Sequence, residues 1–181
     1  MALAPSARLA AICRVFDPTA ATLESVGRLY TRAELLDQRL RWKREAKTVV
    51  FTNGCYDLLH PGHIRLLEQA RSLGDVLILA LNSDASVRRS KGPSRPILPE
   101  AERVDLALAL EAVDAVALFD EETPRELISV ILPDVLVKGA DWSHFVAGRE
   151  EVEAAGGAVV TLPLEPGYST TNIVEAILNR T

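Results

Sequence analysis

From residue 48 onward the chain alternates short apolar runs with longer segments whose apolar residues recur at helical spacing. The runs at 48–52 (TVVFT) and 76–82 (VLILALN) are almost continuously apolar, as strands covered on both faces are. The same pattern predicts further short strands at 116–119, 135–138 and 159–162. Between and after them, apolar periodicity predicts helices over 61–73, 100–112, 123–132, 149–155 and 172–179. Pro61 suits the first helical position, Gly74 lies just past the first of these helices, Pro133 stops the third, and Gly156-Gly157 close the fourth. Strand and helix repeating at this length imply an α/β fold, an open parallel sheet of about five strands with helices on both faces.

Upstream, Thr31-Arg32-Ala33-Glu34 has the form of a capping box, so a helix is expected over 32–46. Its Arg and Lys residues fall on one side and its leucines on the other, the pattern of a surface helix packed on a core. Residues 1–30 are weakly patterned and suit an extra helix or a docking arm. The expected organisation is an N-terminal helical extension, 1–46, and one globular domain, 47–181, without repeats or low-complexity tracts.

Bulk properties narrow the partners. A net charge of −5 over 181 residues argues against nucleic acid, which needs a basic face. Yet Arg88, Arg89, Lys91 and Arg95 crowd one stretch, either a solvated loop or a place for a small polyanion. Cys13 and Cys55 are too few for a disulfide framework. No apolar run approaches the roughly 20 residues that span a bilayer, and the N-terminus lacks the form of a signal peptide. A soluble, cytoplasmic protein with no membrane partner is expected.

In an open α/β sheet, ligands bind beyond the carboxyl ends of the strands, and there the unusual residues gather. Asn53-Gly54-Cys55-Tyr56-Asp57 and then His60-Pro61-Gly62-His63 follow the first expected strand. Asn82-Ser83-Asp84 and the basic stretch with Lys91 follow the second, Lys138-Gly139-Ala140-Asp141-Trp142 the fourth, and Gly167-Tyr168-Ser169-Thr170-Thr171 the fifth. Two of the three histidines sit three residues apart on the first turn of a helix, whose N-terminus favours anions. Gly54 and Gly62 allow close backbone approach, and Ser169, Thr170 and Thr171 offer hydroxyls and free N–H groups to phosphate. Asp84 or Asp141 could bind ribose or sugar hydroxyls, or a metal ion through water. Taken singly, a Ser-Thr-Thr at a helix start is usually an N-cap, and a cysteine such as Cys55 is usually a small buried residue. His144 stands alone and carries no assignment. The histidine pair could share a metal ion, but no third ligand recurs at zinc spacing, so no protein metal site is assigned.

Together these motifs resemble the cytidylyltransferase-like nucleotidyltransferases, marked by His-x-Gly-His after the first strand and Ser-Thr-Thr near the end. The likeness runs from about Val49 to Ile177. FTNGCYDLLHPGH, LNSDASVRRSKGPSRPI, LEAVDAV, LPDVLVKGADW and YSTTNIV look closest to heptose 1-phosphate adenylyltransferase domains, found alone or fused to a sugar kinase. The resemblance implies a Rossmann-like fold for residues 47–181 and condensation of ATP with a sugar 1-phosphate, with Mg²⁺, to a nucleotide-sugar and pyrophosphate. The implied acceptor is D-glycero-β-D-manno-heptose 1-phosphate. It implies catalytic roles for His60, His63, Lys91, Ser169 and Thr170. It also implies nucleotide contacts from Thr52, Asn53, Gly54, Cys55, Tyr56, Gly62, Lys138, Gly139, Asp141 and Thr171, and acceptor contacts from Asp57, Asn82, Asp84 and Arg103. Glycerol-phosphate cytidylyltransferases carry Arg-Thr-Glu-Gly-Ile before Ser-Thr-Thr; here Leu164-Glu165-Pro166-Gly167-Tyr168 lacks the arginine, which favours ATP over CTP. Rival readings are a glycerol- or ethanolamine-phosphate cytidylyltransferase and a silent nucleotide-binding module. A dinucleotide-binding dehydrogenase is set aside, since no Gly-x-Gly-x-x-Gly follows the first strand. The N-terminal segment could serve a homodimer.

Overall fold

The computed structural model describes residues 27–140, 146–163, 165 and 167–179. Six parallel strands form its sheet: β1 (Arg28–Tyr30), β2 (Val49–Gly54), β3 (Val76–Asn82), β4 (Ala115–Phe119), β5 (Val135–Gly139) and β6 (Ala158–Leu162). Their order is β1-β4-β3-β2-β5-β6. The helices among the described residues are α1 (Arg32–Arg44), α2 (Pro61–Arg71), α3 (Asp84–Lys91), α4 (Glu100–Leu108), α5 (Arg125–Ile131), α6 (Arg149–Ala154) and α7 (Thr170–Leu178).

Strand periodicity sends alternate side chains to opposite faces, and each face has its own apolar cluster. Val49, Phe51, Ile78, Ala117 and Leu136 meet α1, α5 and α6 through Leu35, Trp42, Leu127, Ile128, Ile131 and Val152. Val50, Leu77, Leu79, Leu81 and Val137 meet Leu67 and Ala70 of α2 and Val104 and Ala107 of α4. Because both faces are covered, the strands read as continuous apolar runs.

Register is clipped at the amino edge of the sheet by three aspartates, each just before a strand. Asp75 accepts from Thr48 N (2.8 Å), Asp114 from Leu77 N (2.7 Å) and Asp134 from Val49 N (2.8 Å). Each aspartate's own N–H donates back to the carbonyl of the same residue, at 2.8, 3.1 and 2.9 Å. Asp134 does more: its other oxygen takes Arg39 Nη2 at 2.8 Å, and that nearly buried guanidinium also donates to the Ile131 and Leu132 carbonyls. α1 is thereby fastened to the end of α5.

The expected strands and helices are present, with shifted ends and two additions. The sheet has six strands because Arg28–Tyr30 pairs with β4, in register Arg28↔Ala115 to Tyr30↔Ala117. Three residues at a sheet edge carry too little periodicity to announce a strand. α1 begins at the expected capping box, Thr31 Oγ1 accepting from Glu34 N and Glu34 from Thr31 N. Thus residues 28–44 contribute a strand and a core-packed helix to the sheet's architecture. The basic stretch is largely helical, not a loop: α3 is capped by Ser83, whose Oγ accepts from Ser86 N at 3.0 Å. α4 stops at Leu108, four residues short of expectation, as turns at Leu110 and Val113 deliver Asp114 to β4. α7 starts at Thr170, two residues early, because Ser169 caps it.

Asp134→Ala leaves the Val49 N–H and the buried Arg39 guanidinium without their shared acceptor. Urea denaturation should show a loss of about 1–3 kcal/mol, larger than that of Asp75→Ala, whose bond to Thr48 is exposed.

Candidate active site

The strand order reverses at β2. From it the chain proceeds to β3 and β4 on one side, then crosses to β5 and β6 on the other. β2 pairs with β3 along six positions, Val49↔Val76 to Gly54↔Leu81, but with β5 only at Val50↔Val135 and Phe51↔Leu136. Beyond Phe51 the two central strands part, and a crevice opens at the switch point, where open α/β sheets bind ligands. Lys138 of β5 bridges its floor, donating from Nζ to Asn53 Oδ1.

Two helix N-termini converge over this crevice. His60 caps α2, its Nδ1 accepting from His63 N at 3.3 Å, and Ser169 caps α7, its Oγ accepting from Asn172 N at 3.0 Å. The His60 ring lies 6.2 Å from the Tyr168 ring. A Cβ on Gly62 would come within 3.1 Å of Tyr168 Cβ and 3.2 Å of His60 Nδ1, so any side chain there would press on both ends. The N–H groups of Gly62, Thr170 and Thr171 lie in first turns, where no intrahelical carbonyl reaches them. Paired N-termini of this kind attract an anion through free donors and dipole together.

The histidines are stacked on each other, centroids 3.7 Å apart and planes 14° from parallel, with Tyr56 against His63 at 4.6 Å. Burial holds His60 below its ordinary value. Burial and then the neighbouring His60 ring push His63 down to about 4. Both are therefore neutral near pH 7. Because His60 Nδ1 is an acceptor, its proton sits on Nε2. Among the described residues His63 Nδ1 is buried without a hydrogen-bond partner, as a polar atom facing a ligand or water site is. Burial also raises the Tyr56 hydroxyl and the Cys55 thiol, the latter against the pull of Lys91, Arg103 and Arg95. Cys55 is thus no thiolate nucleophile; its Sγ contacts Asn82 Oδ1 at 3.7 Å.

These groups line one cleft of about 460 Å³. It gathers most of the residues expected from sequence: Thr52, Asn53, Gly54, Cys55, Tyr56, Asp57, His60, Gly62, His63, Asn82, Lys91, Lys138, Gly139, Ser169, Thr170 and Thr171. Asp141 lies outside the described residues, as do Trp142, His144 and residues 1–26. Arg103 and Asp84, expected to contact the acceptor, do not line it. They pair with each other at 2.8 Å, and the 1% exposed Arg103 also donates to Cys55 O and Leu98 O. They brace the wall from behind. Asp57 touches the cleft, but its carboxylate is fully engaged by Arg95 Nε and the N–H groups of Ile97 and Leu98. Sequence reasoning missed Ser90, Arg95, Glu122, Glu165 and Tyr168 as lining residues. Arg95 stood within the basic stretch, and Glu165 and Tyr168 flanked the Ser-Thr-Thr. Glu122 had no signal beyond its place after β4.

A Rossmann-like α/β domain with a cleft at its switch point, under two helix N-termini, is the class that fold and site define. The chain belongs to the cytidylyltransferase-like family, which residues 51–176 match. Among curated proteins it is 52% identical over 159 residues to bifunctional protein HldE of Syntrophotalea carbinolica, covering 87% of this chain and 32% of that protein. It is 53% identical over 161 residues to bifunctional protein HldE of Koribacter versatilis, covering 86% and 33%. The chain thus spans about a third of the length of these relatives. Among solved structures it resembles a lipopolysaccharide core biosynthesis protein from Thermoplasma volcanium (TM-score 0.53, 27% identity, 66% of this chain and 97% of that one). No helix among the described residues is long and apolar enough to cross a membrane.

The half-buried histidine pair gives stability a pH signature. In the unfolded chain His63 takes up its proton near pH 6.5, whereas in the fold it does so only near 4. Stability is therefore full above about pH 6.5 and is lost as the pH falls toward 4, by at most about 3 kcal/mol after allowing for partial exposure. Urea midpoints between pH 7 and 4 should fall in the native protein and fall less in His63→Gln; equal slopes would contradict this.

Proposed function

We propose that the chain is a nucleotidyltransferase that joins ATP and a sugar 1-phosphate to give an ADP-sugar and pyrophosphate, with D-glycero-β-D-manno-heptose 1-phosphate as the acceptor. The observation that carries this reading is the meeting of two helix N-termini over a stacked, neutral histidine pair, with Lys91, Arg95 and Lys138 lining the same cleft. The high identity to the HldE proteins and the likeness to a lipopolysaccharide core biosynthesis protein favour a sugar-phosphate acceptor. ATP over CTP rests on the missing arginine before Gly167.

The chemistry needs little from the protein beyond placement and charge. An oxygen of the acceptor phosphate attacks the α-phosphorus in line; one P–O bond forms there as the bond to the β-phosphate oxygen breaks, and pyrophosphate departs. A phosphate monoester is mostly dianionic at pH 7, so the nucleophile carries no proton that must be removed. Neutral His60 and His63 then act as hydrogen-bond donors to the α-phosphoryl oxygens rather than as bases. Ser169, with its O–H unengaged among the described residues, and the N–H groups of Thr170 and Thr171 take the β/γ-phosphates. Preorganised donors aimed at developing charge are the main source of rate in phosphoryl transfer. No three His, Cys, Asp or Glu among the described residues are grouped to hold a metal ion, so in this reading Mg²⁺ enters as part of the MgATP substrate. The reaction belongs in the cytoplasm, where ATP is supplied.

Pyrophosphate release should be seen with ATP and heptose 1-phosphate and be far slower with CTP and glycerol 3-phosphate; turnover with CTP alone would overturn the nucleotide assignment. His63→Ala should lower kcat by about 10²–10³, the usual loss for one such donor. An unchanged rate would remove His63 from the mechanism.

A further inference from the structure

The reaction proposed above brings together two phosphorylated molecules, and the acceptor's phosphate needs a cation of its own. The histidines at the helix ends are neutral. Lys138 is drawn to Asn53 on the crevice floor. That leaves the wall formed by α3 and the segment after it, where Lys91 and Arg95 both line the cleft.

Arg95 is mounted differently from an ordinary surface arginine. Its side chain is 18% exposed, and its Nε is paired with Asp57, itself 1% exposed. The other carboxylate oxygen of Asp57 takes Ile97 N at 2.7 Å and Leu98 N at 2.9 Å. One buried carboxylate thus holds both the guanidinium and the backbone just beyond it. Neither Nη of Arg95 has a hydrogen-bond or ion-pair partner among the described residues. Asp57 also lies three residues before His60 in the turn leaving β2, so the guanidinium is held to the segment that carries the histidines.

We propose that Arg95, oriented by Asp57, is the ligand of the acceptor's phosphate, presenting its two Nη groups to that phosphate beside the nucleotide's α-phosphorus. A guanidinium fork matches two phosphate oxygens at once, which a lysine cannot. Fixing it through Nε determines the plane in which the pair is offered. Asp57 acts through Arg95 and is a positioning residue. This assignment rests on the transferase reading for the identity of the acceptor, but not on turnover.

Binding can test it separately from catalysis. Titration calorimetry on native protein and Arg95→Ala, with heptose 1-phosphate and with the non-reacting analogue α,β-methylene-ATP, should show sugar-phosphate affinity falling about tenfold or more. The analogue's affinity should stay within about twofold of native. Arg95→Lys keeps charge and packing but loses the fork, and should fall between. Asp57→Asn should weaken the sugar phosphate like Arg95→Ala, and millimolar guanidinium should restore part of the affinity of Arg95→Ala, which a merely misfolded wall would not allow. Equal loss for both ligands, no loss, or no binding of the sugar phosphate by native protein would overturn the assignment. Native protein that binds both ligands with the expected Arg95 dependence but releases no pyrophosphate would instead overturn the transferase reading.

Discussion

The cleft depends on one buried guanidinium. Arg103 is 1% exposed, and its three nitrogens reach Leu98 O (3.1 Å), Cys55 O (2.8 Å) and Asp84 Oδ1 (2.8 Å). Those partners belong to three different segments: the stretch before α4, the turn leaving β2, and the first turn of α3. An arginine taken out of water costs several kcal/mol unless its donors are satisfied and its charge is met. The segments are therefore obliged to stay where Arg103 can use them. Asp57 imposes the mirror-image condition from the other side of the same wall, a buried anion satisfied by Arg95, Ile97 and Leu98. Burial alone would raise its titration, but the N–H groups of Leu98 and Ile97, with Arg95, hold it below the ordinary carboxylate range. It remains an anion, and the wall remains set.

How much of this was legible in the chain follows from the range of each interaction. Continuous apolar runs read as buried strands because both faces of the sheet are covered, and that requirement acts residue by residue. The Thr31 capping box is local and was visible as such, whereas Ser169 stood only as part of a Ser-Thr-Thr at a helix start, with the helix expected to begin at 172. The convergence of Asn53, His60, Lys91, Lys138 and Ser169 was legible from topology alone, since successive parallel strands point their carboxyl ends the same way. What stayed hidden depends on contacts distant in sequence. Asp84 drew notice from its place after the second strand and Arg103 through the family resemblance, but 19 positions separate them and nothing local shows that they satisfy each other. Arg95 stood in a basic stretch of which only Lys91 had a role, until a carboxylate 38 positions away singled it out. β1 escaped notice for a simpler reason: three residues carry too little period to count.

The division of charge in the cleft has a consequence for the histidines. A pair of imidazoles stacked at 3.7 Å could not both be protonated without strong repulsion, and burial lowers both further. Histidine is usually chosen for its ability to change charge near neutrality; here the fold suppresses that ability. What remains is a rigid, neutral donor with a fixed tautomer, held by the N–H of His63 on His60 Nδ1. In the reaction proposed above such a donor is already oriented before charge develops and costs no reorganisation as it does. The positive charge is supplied instead by Lys91, Arg95 and Lys138, on side chains reaching in from α3, the segment after it and β5. In the transferase reading proposed above, neutral donors at the helix ends and cations on the adjoining walls suit a reaction whose nucleophile and leaving group are both already anionic.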